Sequence, residues 1–354
     1  MKIATLSNAA VGHTQRWVAH FRARGHTVRV WSLEDGPAEL GADRLPRLPL
    51  PGALRYPLAV PALRSALARF APDVVDAHFV PNYGLMGALC GRRPLVVTPW
   101  GSDLLLTGVA NAPQKARAEF VLSRADAVIC DGENLAVAAR RLGGGERVHL
   151  VPWGVDLTRF KPAGRRETGL LFSARMHEPV YDMPTLLRGV ADELAADPAA
   201  RLVIAGDGRL TGELQRLAAG CLPAGRYEFV GRLSLDAMVE WLGRAEVCVS
   251  ASVSDSTSQS LIEAMACGAI PVVSDIEGNR PWVRDGEGAR TFAPGDAAGL
   301  GRALRAARAD SAWGESARRL NRARVERDAD AAANMGRVER LFETLAARSP
   351  RRHA

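Results

Sequence analysis

Along the chain, short runs of consecutive apolar residues alternate with longer stretches whose apolar positions recur every three or four residues. In the first half the short runs are KIATLS (2–7), TVRVWSL (27–33), DVVDAHF (73–79), PLVVTPW (94–100) and AVICDG (127–132). In the second half they are GLLFSAR (169–175), RLVIAGDG (201–208), YEFVG (227–231), EVCVSAS (246–252) and IPVVSD (270–275). A strand with one wet face alternates apolar and polar residues, whereas a continuous β-branched run suits a strand covered on both faces. Runs of this kind, spaced by helix-length segments, predict an α/β protein with two doubly wound parallel sheets. In such sheets ligands sit beyond the carboxyl ends of the strands, so the polar residues just after each run are the ones to inspect.

A chain of 354 residues is long for one core and suggests two domains. The boundary is expected in VPWGVDLTRFKPAGRRETG (151–169), where two prolines, three glycines and a charge cluster break the pattern. PRLPLPGALRYPLAVP (46–61) carries five prolines and reads as an irregular surface loop. From about residue 297 the chain is Ala/Arg-rich and helical in pattern, with a break near Gly314. No run approaches the roughly 18 apolar residues of a membrane span. The N-terminal MKIATLS, followed by SNAAVGHTQRW, lacks the apolar core of a secretory signal. Five scattered cysteines without a CxxC pair read as free thiols of a reducing cytoplasm.

The net charge of +7 is concentrated: residues 301–354 hold 13 Arg against 7 Asp plus Glu. A solvated helical face accounts for this, with anionic lipid or nucleic acid as the alternative partners. Only Lys2, Lys115 and Lys161 are lysines, so a phosphate clamp must be built from Arg or backbone amides.

Residues 254–275 read SDSTSQSLIEAMACGAIPVVSD: a strand end, a hydroxyl-rich turn, then a helix closing at Gly268. The first-turn N–H groups and the positive end of the helix dipole form an anion site, to which Ser256, Thr257, Ser258 and Ser260 add donors. Simple helix capping by Asp255 or Ser256 is the competing reading. Glu263 lies within the apolar helix, where a carboxylate could accept hydrogen bonds from the two hydroxyls of a ribose. A solvent-facing helix glutamate is the alternative.

With these residues the chain resembles, over nearly its whole length, the GT-B glycosyltransferases and among them the large retaining family 4. The family pairs two acidic residues eight positions apart before an EAMA-type helix, a Gly and a PVV strand; here these are Asp255, Glu263 and EAMACGAIPVV. The resemblance implies two Rossmann-like domains facing across a deep cleft. Residues 1–155 would bind the acceptor and 156–334 the nucleotide-sugar donor, with a tail of about 335–354 packing back on the first. It implies that Asp255 meets the donor sugar, the amides of Ser256, Thr257, Ser258, Gln259 and Ser260 meet the diphosphate, and Glu263 meets the ribose. LLFSARMHEPVYDMPTLL (170–187) is similar to the phosphate clamp, with Arg175 matching its Arg and Tyr181 standing where Lys is usual. LVIAGDGRL (202–210) supplies Gly206, and FVGRLSLDAMVEWLGRA (229–245) supplies the base-binding backbone at Gly231, Arg232 and Leu233. VPWGVDLTRFKP is similar to the hinge motif, with Trp153 where Asn is commoner. In the first domain, Gly12 and His13 would lie beneath the reactive carbon, and His78 and Asp103 would face the acceptor. The implied catalytic set is Arg175, Asp255, His13 and His78.

No metal is expected. The one DxD, Asp328–Ala329–Asp330, lies in the Arg-rich tail; no His/Cys cluster has ligand spacing; and no P-loop or cofactor motif is present. The function implied is transfer of a sugar, with retention, from a UDP-sugar or else a GDP-sugar to a glycan, lipid-linked or small-molecule acceptor. It would take place in the cytoplasm, with at most peripheral contact to the inner membrane face. An NDP-sugar 2-epimerase on the same fold and a non-catalytic nucleotide-sugar-binding protein are the alternatives. A nucleic-acid partner is disfavoured, because the tail's only large aromatics are Trp313 and Phe342.

Overall fold

Each of the ten apolar runs becomes one strand of a parallel sheet in the computed structural model, which describes residues 1–46, 52–162, 164 and 166–348. The chain divides into two compact units. One is Met1–Val151 together with the C-terminal residues from Ala333 onward; the other is Pro152–Ala332.

The strands of the first unit are β1 (Lys2–Leu6), β2 (Thr27–Ser32), β3 (Asp43–Arg44), β4 (Val74–His78), β5 (Leu95–Thr98), β6 (Ala127–Cys130) and β7 (Val148–Leu150). They are ordered 3-2-1-4-5-6-7, with β1 paired to β2 through Ile3↔Val28 and to β4 through Ile3↔Val74. The second unit holds β8 (Glu167–Ala174), β9 (Arg201–Ala205), β10 (Tyr227–Gly231), β11 (Ala245–Ser250), β12 (Ile270–Ser274) and β13 (Arg290–Phe292), ordered 10-9-8-11-12-13. All pairings are parallel. β4 and β12 are buried at every residue, which is why their sequences do not alternate.

In each sheet the strand order reverses once, between β1 and β4 in the first and between β8 and β11 in the second. Strand ends at such a reversal diverge and leave a crevice, the general ligand position of open α/β sheets. His78 ends β4, and the segments that leave β1, β8 and β11 carry Gly12 and His13, Arg175, and Asp255 respectively.

The structure corrects three expectations. The strands β3, β7 and β13 were not legible, because two or three residues at a sheet edge leave no periodic signal. Within the proline-rich segment, residues 47–51 lie outside the described residues, but Gly52–Leu58 and Val60–Phe70 are helices rather than an irregular loop. Pro61 sits in the first turn of its helix, where an N–H would have no intrahelical partner. The tail does not break at Gly314, which lies inside Ser311–Asp328; it breaks before that helix, whose start is capped by the Asp310 side chain. Gly314 is instead a packing glycine, since a Cβ there would approach Ile270 Cδ1 at 3.1 Å.

The helix Ala331–Arg348 packs on the first unit. Phe342 stacks on Phe21 at 5.3 Å, Glu339 accepts hydrogen bonds from His26 and Arg24, and Arg337 donates to the Leu150 carbonyl. Phe342 is fully buried. Phe342→Ala should therefore lower unfolding stability by about 3–5 kcal/mol, read by chemical denaturation, whereas a tail that merely lay in solvent would show almost no change.

Candidate functional site

In the second unit, β8 delivers Arg175 immediately beyond its last residue. Gly206, the first residue after β9, lets that strand's exit pass close to the Arg175 backbone. Its φ is +123°, its N–H donates to the Gly231 carbonyl, and a Cβ would lie 2.1 Å from the Arg175 carbonyl oxygen. Gly231 also needs a positive φ, of +68°. Arg232 is exposed and lies 3.6 Å from Asp207, while Leu233 packs against the core beneath the sheet.

Arg175 is buried, and its Nη1 donates to the hydroxyls of Ser258 and Ser260, each at 2.9 Å. Its Nη2 donates to Asp255 at 2.5 Å, and Tyr181 lies under the guanidinium with 4.2 Å to the ring centroid. Tyr181 is held there by a short 3₁₀ turn, Pro179–Tyr181, which ends on a left-handed Asp182 that caps the next helix. It therefore contributes a ring face to Arg175 rather than a second positive charge. The Nε of Arg175 is buried without a hydrogen-bond partner.

The hydroxyl-rich turn is buried as well: Ser256, Thr257, Ser258 and Ser260 are all core residues. Gly278 makes room for it, since a Cβ there would lie 2.3 Å from the Asp255 carbonyl oxygen. Ser258 occupies the N-cap position of Gln259–Cys267 but makes no capping bond, because its hydroxyl is taken by Arg175. Its backbone carbonyl accepts from Leu261 and Ile262. The N-cap position thus belongs to Ser258 and not to Asp255 or Ser256. The solvent-facing reading of Glu263 fails, since Glu263 is buried, with Gln259 Nε2 at 3.4 Å from Oε1 and held by the Gly154 carbonyl at 2.8 Å.

One neighbour of this cluster was passed over in the sequence. His177 is buried, its Nδ1 lies 2.8 Å from the Thr211 hydroxyl, and its Nε2 has no partner. Burial keeps it neutral by lowering its pKa, against a smaller upward pull from Asp207. Its closeness in sequence to Arg175 was the available signal.

In the first unit, His78 ends β4 with both ring nitrogens engaged. Trp100 Nε1–H donates to Nδ1 at 3.3 Å, so the proton sits on Nε2 and is donated to Asp76 at 2.9 Å. Asp76, wholly buried, also accepts from Trp17 at 2.8 Å and Thr98 at 3.2 Å. Asp103 is fully buried, with one oxygen accepting the Trp100 N–H and the other the Val80 N–H, both at 2.9 Å. Burial raises its pKa to about 6 despite these backbone donors. His78 and Asp103 are thus both engaged with neighbouring groups of the first unit.

Gly12 opens the helix Gly12–Ala23, and a Cβ there would meet nothing, so packing does not account for the glycine. His13 is half-buried, lies 6.1 Å ring to ring from Trp100, and takes the Arg16 guanidinium on Nδ1 at 2.9 Å, which leaves its proton on Nε2. Burial first, and then the charge of Arg16, lower its pKa to about 4. Among the described residues no group of three or more His, Cys, Asp or Glu could hold a metal ion, and no helix is long and apolar enough to cross a membrane.

The chain is similar in sequence and in fold to known proteins. The family model "Glycosyltransferase Family 4" matches residues 10–159 and "Glycosyl transferases group 1" matches residues 167–310. The D-inositol 3-phosphate glycosyltransferase of Geodermatophilus obscurus is 32% identical over 60% of this chain and 54% of its own length. The GDP-mannose-dependent alpha-mannosyltransferase of Mycobacterium tuberculosis is 28% identical over 75% of this chain and 74% of its own. The chain spans about half the length of the inositol-phosphate relatives it matches. Among solved structures, sucrose-phosphate synthase of Thermosynechococcus elongatus superposes with a TM-score of 0.84 at 19% identity, covering 99% of this chain and all of that one. Anabaena HepE, in complex with UDP and glucose, superposes with a TM-score of 0.83 at 17% identity, covering 98% of this chain and all of that one. The fold is GT-B, built from two Rossmann-like sheets.

The depressed His13 pKa makes a pH prediction. A histidine neutral in the fold and titrating at 6.5 when unfolded adds stability that is fully present above pH 6.5 and is lost as pH falls towards 4. His13→Gln should flatten that part of the stability profile, and the His13 ring signals should titrate near pH 4 by NMR. A midpoint near 6.5 would contradict the geometry.

Proposed function

This chain belongs to the group 1 glycosyltransferases of family 4, and we propose that it moves a sugar from a nucleoside diphosphate to an acceptor, with retention at the anomeric carbon. The donor half rests on one observation above the others: a buried arginine with an unpartnered Nε beside a helix start that carries no side-chain cap. A guanidinium and first-turn amides together suit a diphosphate. Glu263, buried one turn further along the same helix, suits the paired hydroxyls of a ribose. The backbone at Gly231, Arg232 and Leu233 would hold the base and Asp255 the sugar. UDP is our first choice of nucleotide, in line with the UDP bound by HepE. GDP is the second, in line with the GDP-mannose named for the M. tuberculosis relative.

In the reaction we favour, the bond from C1 to the diphosphate oxygen breaks while the acceptor oxygen bonds to C1 on the same face. The acceptor's proton passes to a departing phosphate oxygen. Arg175 and the amides of residues 256–260 stabilise the charge on the leaving group without a metal ion. His13, whose proton on Nε2 makes it a donor, and Gly12, which leaves open space, would serve the reacting carbon and the acceptor. The acceptor is a hydroxyl-bearing glycan, lipid-linked sugar or small molecule met in the cytoplasm.

Calorimetric titration with UDP, GDP and their sugar conjugates, with and without magnesium, tests the donor site. One nucleotide should bind without metal, and Glu263→Ala should weaken it by about tenfold or more. Arg175→Ala should cut turnover by about 10²–10³; normal turnover in that variant would remove its role. Product NMR should show the donor's anomeric configuration retained, and inversion would exclude same-face attack. Affinity without turnover on any acceptor would favour the non-catalytic binding protein.

A further inference from the structure

The first unit holds a partly enclosed recess near the carboxyl edge of its sheet, where ligands of open α/β sheets are found. Val80, just after β4, forms one side of it, and Asp103 and Thr107, after β5, form a second. The helix Ala112–Arg124 closes it with Gln114, Arg117 and Ala118. Gln114 and Arg117 stand three residues apart on that helix and so share a face. Among the described residues, the Thr107 hydroxyl, the Gln114 amide and the Arg117 guanidinium have no hydrogen-bond or ion-pair partner. The Gln114 Oε1 is buried in this state, which leaves its desolvation uncompensated. Three unused polar side chains around one recess point to a ligand.

The lining selects the chemistry of that ligand. Asp103 spends its two oxygens on the Trp100 and Val80 N–H groups, yet it sets a negative charge in the wall. A guanidinium on one side and a buried carboxylate on the other favour a neutral ligand over an anion. The recess encloses about 30 Å³. About 10–15 Å³ holds one water, so the space takes about two hydroxyl-sized groups. A hydroxyl can accept from Arg117 while giving its own proton to Gln114 Oε1, which a carboxylate cannot do. Adjacent hydroxyls on a ring present such groups together, and the ring's C–H surface suits the buried Val80 and Ala118. We propose that this recess binds two adjacent hydroxyls of a sugar or cyclic polyol. It is joined to His13 through one residue: Asp103 accepts the Trp100 N–H at 2.9 Å, and the Trp100 ring lies 6.1 Å from that of His13. Under the sugar-transfer reading, on which this role rests, the recess is an acceptor subsite that grips hydroxyls other than the one that reacts.

Amide NMR titration of the wild-type protein with methyl α-glucoside and with myo-inositol, read at Val80 and Ala118, tests the site. Inorganic phosphate and acetate serve as anionic probes. At least one polyol should move both signals, while the anions leave them in place. Gln114→Leu should weaken that binding about threefold to tenfold and Arg117→Met about tenfold, with the rest of the spectrum unchanged. Thr107→Val carries the same comparison if a helix variant does not fold. Polyol binding of equal strength in every variant overturns the site, as does a response to phosphate or acetate in place of the polyols. No shift with any probe, which leaves the recess to water, overturns it too. Calorimetry with UDP and GDP on the same wild-type protein reads the donor site separately. Nucleotide binding without a polyol response overturns this site and leaves the donor site standing. A polyol response without nucleotide binding keeps the recess as a sugar site and overturns the transfer reading.

Discussion

A guanidinium buried beyond the end of β8 is the constraint on which the second unit's polar architecture depends. Arginine cannot shed its charge, so the fold must surround it with acceptors. It does so with Asp255, Ser258 and Ser260, residues 80 or more positions away in sequence. Using Ser258 in this way denies the helix Gln259–Cys267 its side-chain cap. The turn that feeds the helix must pass close to Gly278, and the turn after β9, which begins at Gly206, must pass close to the Arg175 backbone. Removing one partner of a buried pair typically costs about 3–5 kcal/mol, because the other charge is left uncompensated. The geometry of the helix start and the chemistry available there are thus set by one side chain.

The first unit solves a similar problem with the opposite charge. Asp76 is buried in the middle of a strand and is satisfied by Trp17, His78 and Thr98. The indole N–H groups of Trp17 and Trp100 and the ring of His78 form a rigid floor at the carboxyl end of β4, with His13 against its edge. Asp103 performs a related task by pinning the N–H groups of Val80 and Trp100. The residues at this end of the sheet divide into those that build the floor and those, Gly12 and His13, that the floor presents.

What could be read from the sequence followed from burial on both faces. Strands such as β6 and β12 are apolar at nearly every position, so their runs stand out; β3, β7 and β13 are edge pieces too short to do so. The helices inside the proline-rich segment were missed because proline was weighed as a breaker when, at Pro61, it occupies a first turn. The cluster after β11 was legible as a group because its hydroxyls are contiguous, and Glu263 stood out against its apolar neighbours. The pairing of Arg175 with Asp255 was not legible, since no local pattern joins residues so far apart. Asp76 could have been found: a carboxylate inside DVVDAHF breaks an otherwise apolar strand and asks for partners. The engagement of His78 Nε2 follows from that one aspartate, while its Nδ1 is taken by Trp100.

The most direct measurement is a crystal structure of the wild-type protein soaked with the nucleotide sugar that binds it best. The account predicts ribose hydroxyls at about 3 Å from the Glu263 carboxylate and the diphosphate on the first turn of Gln259–Cys267 beside Arg175. A nucleotide held elsewhere on the chain, with Glu263 untouched, would contradict it.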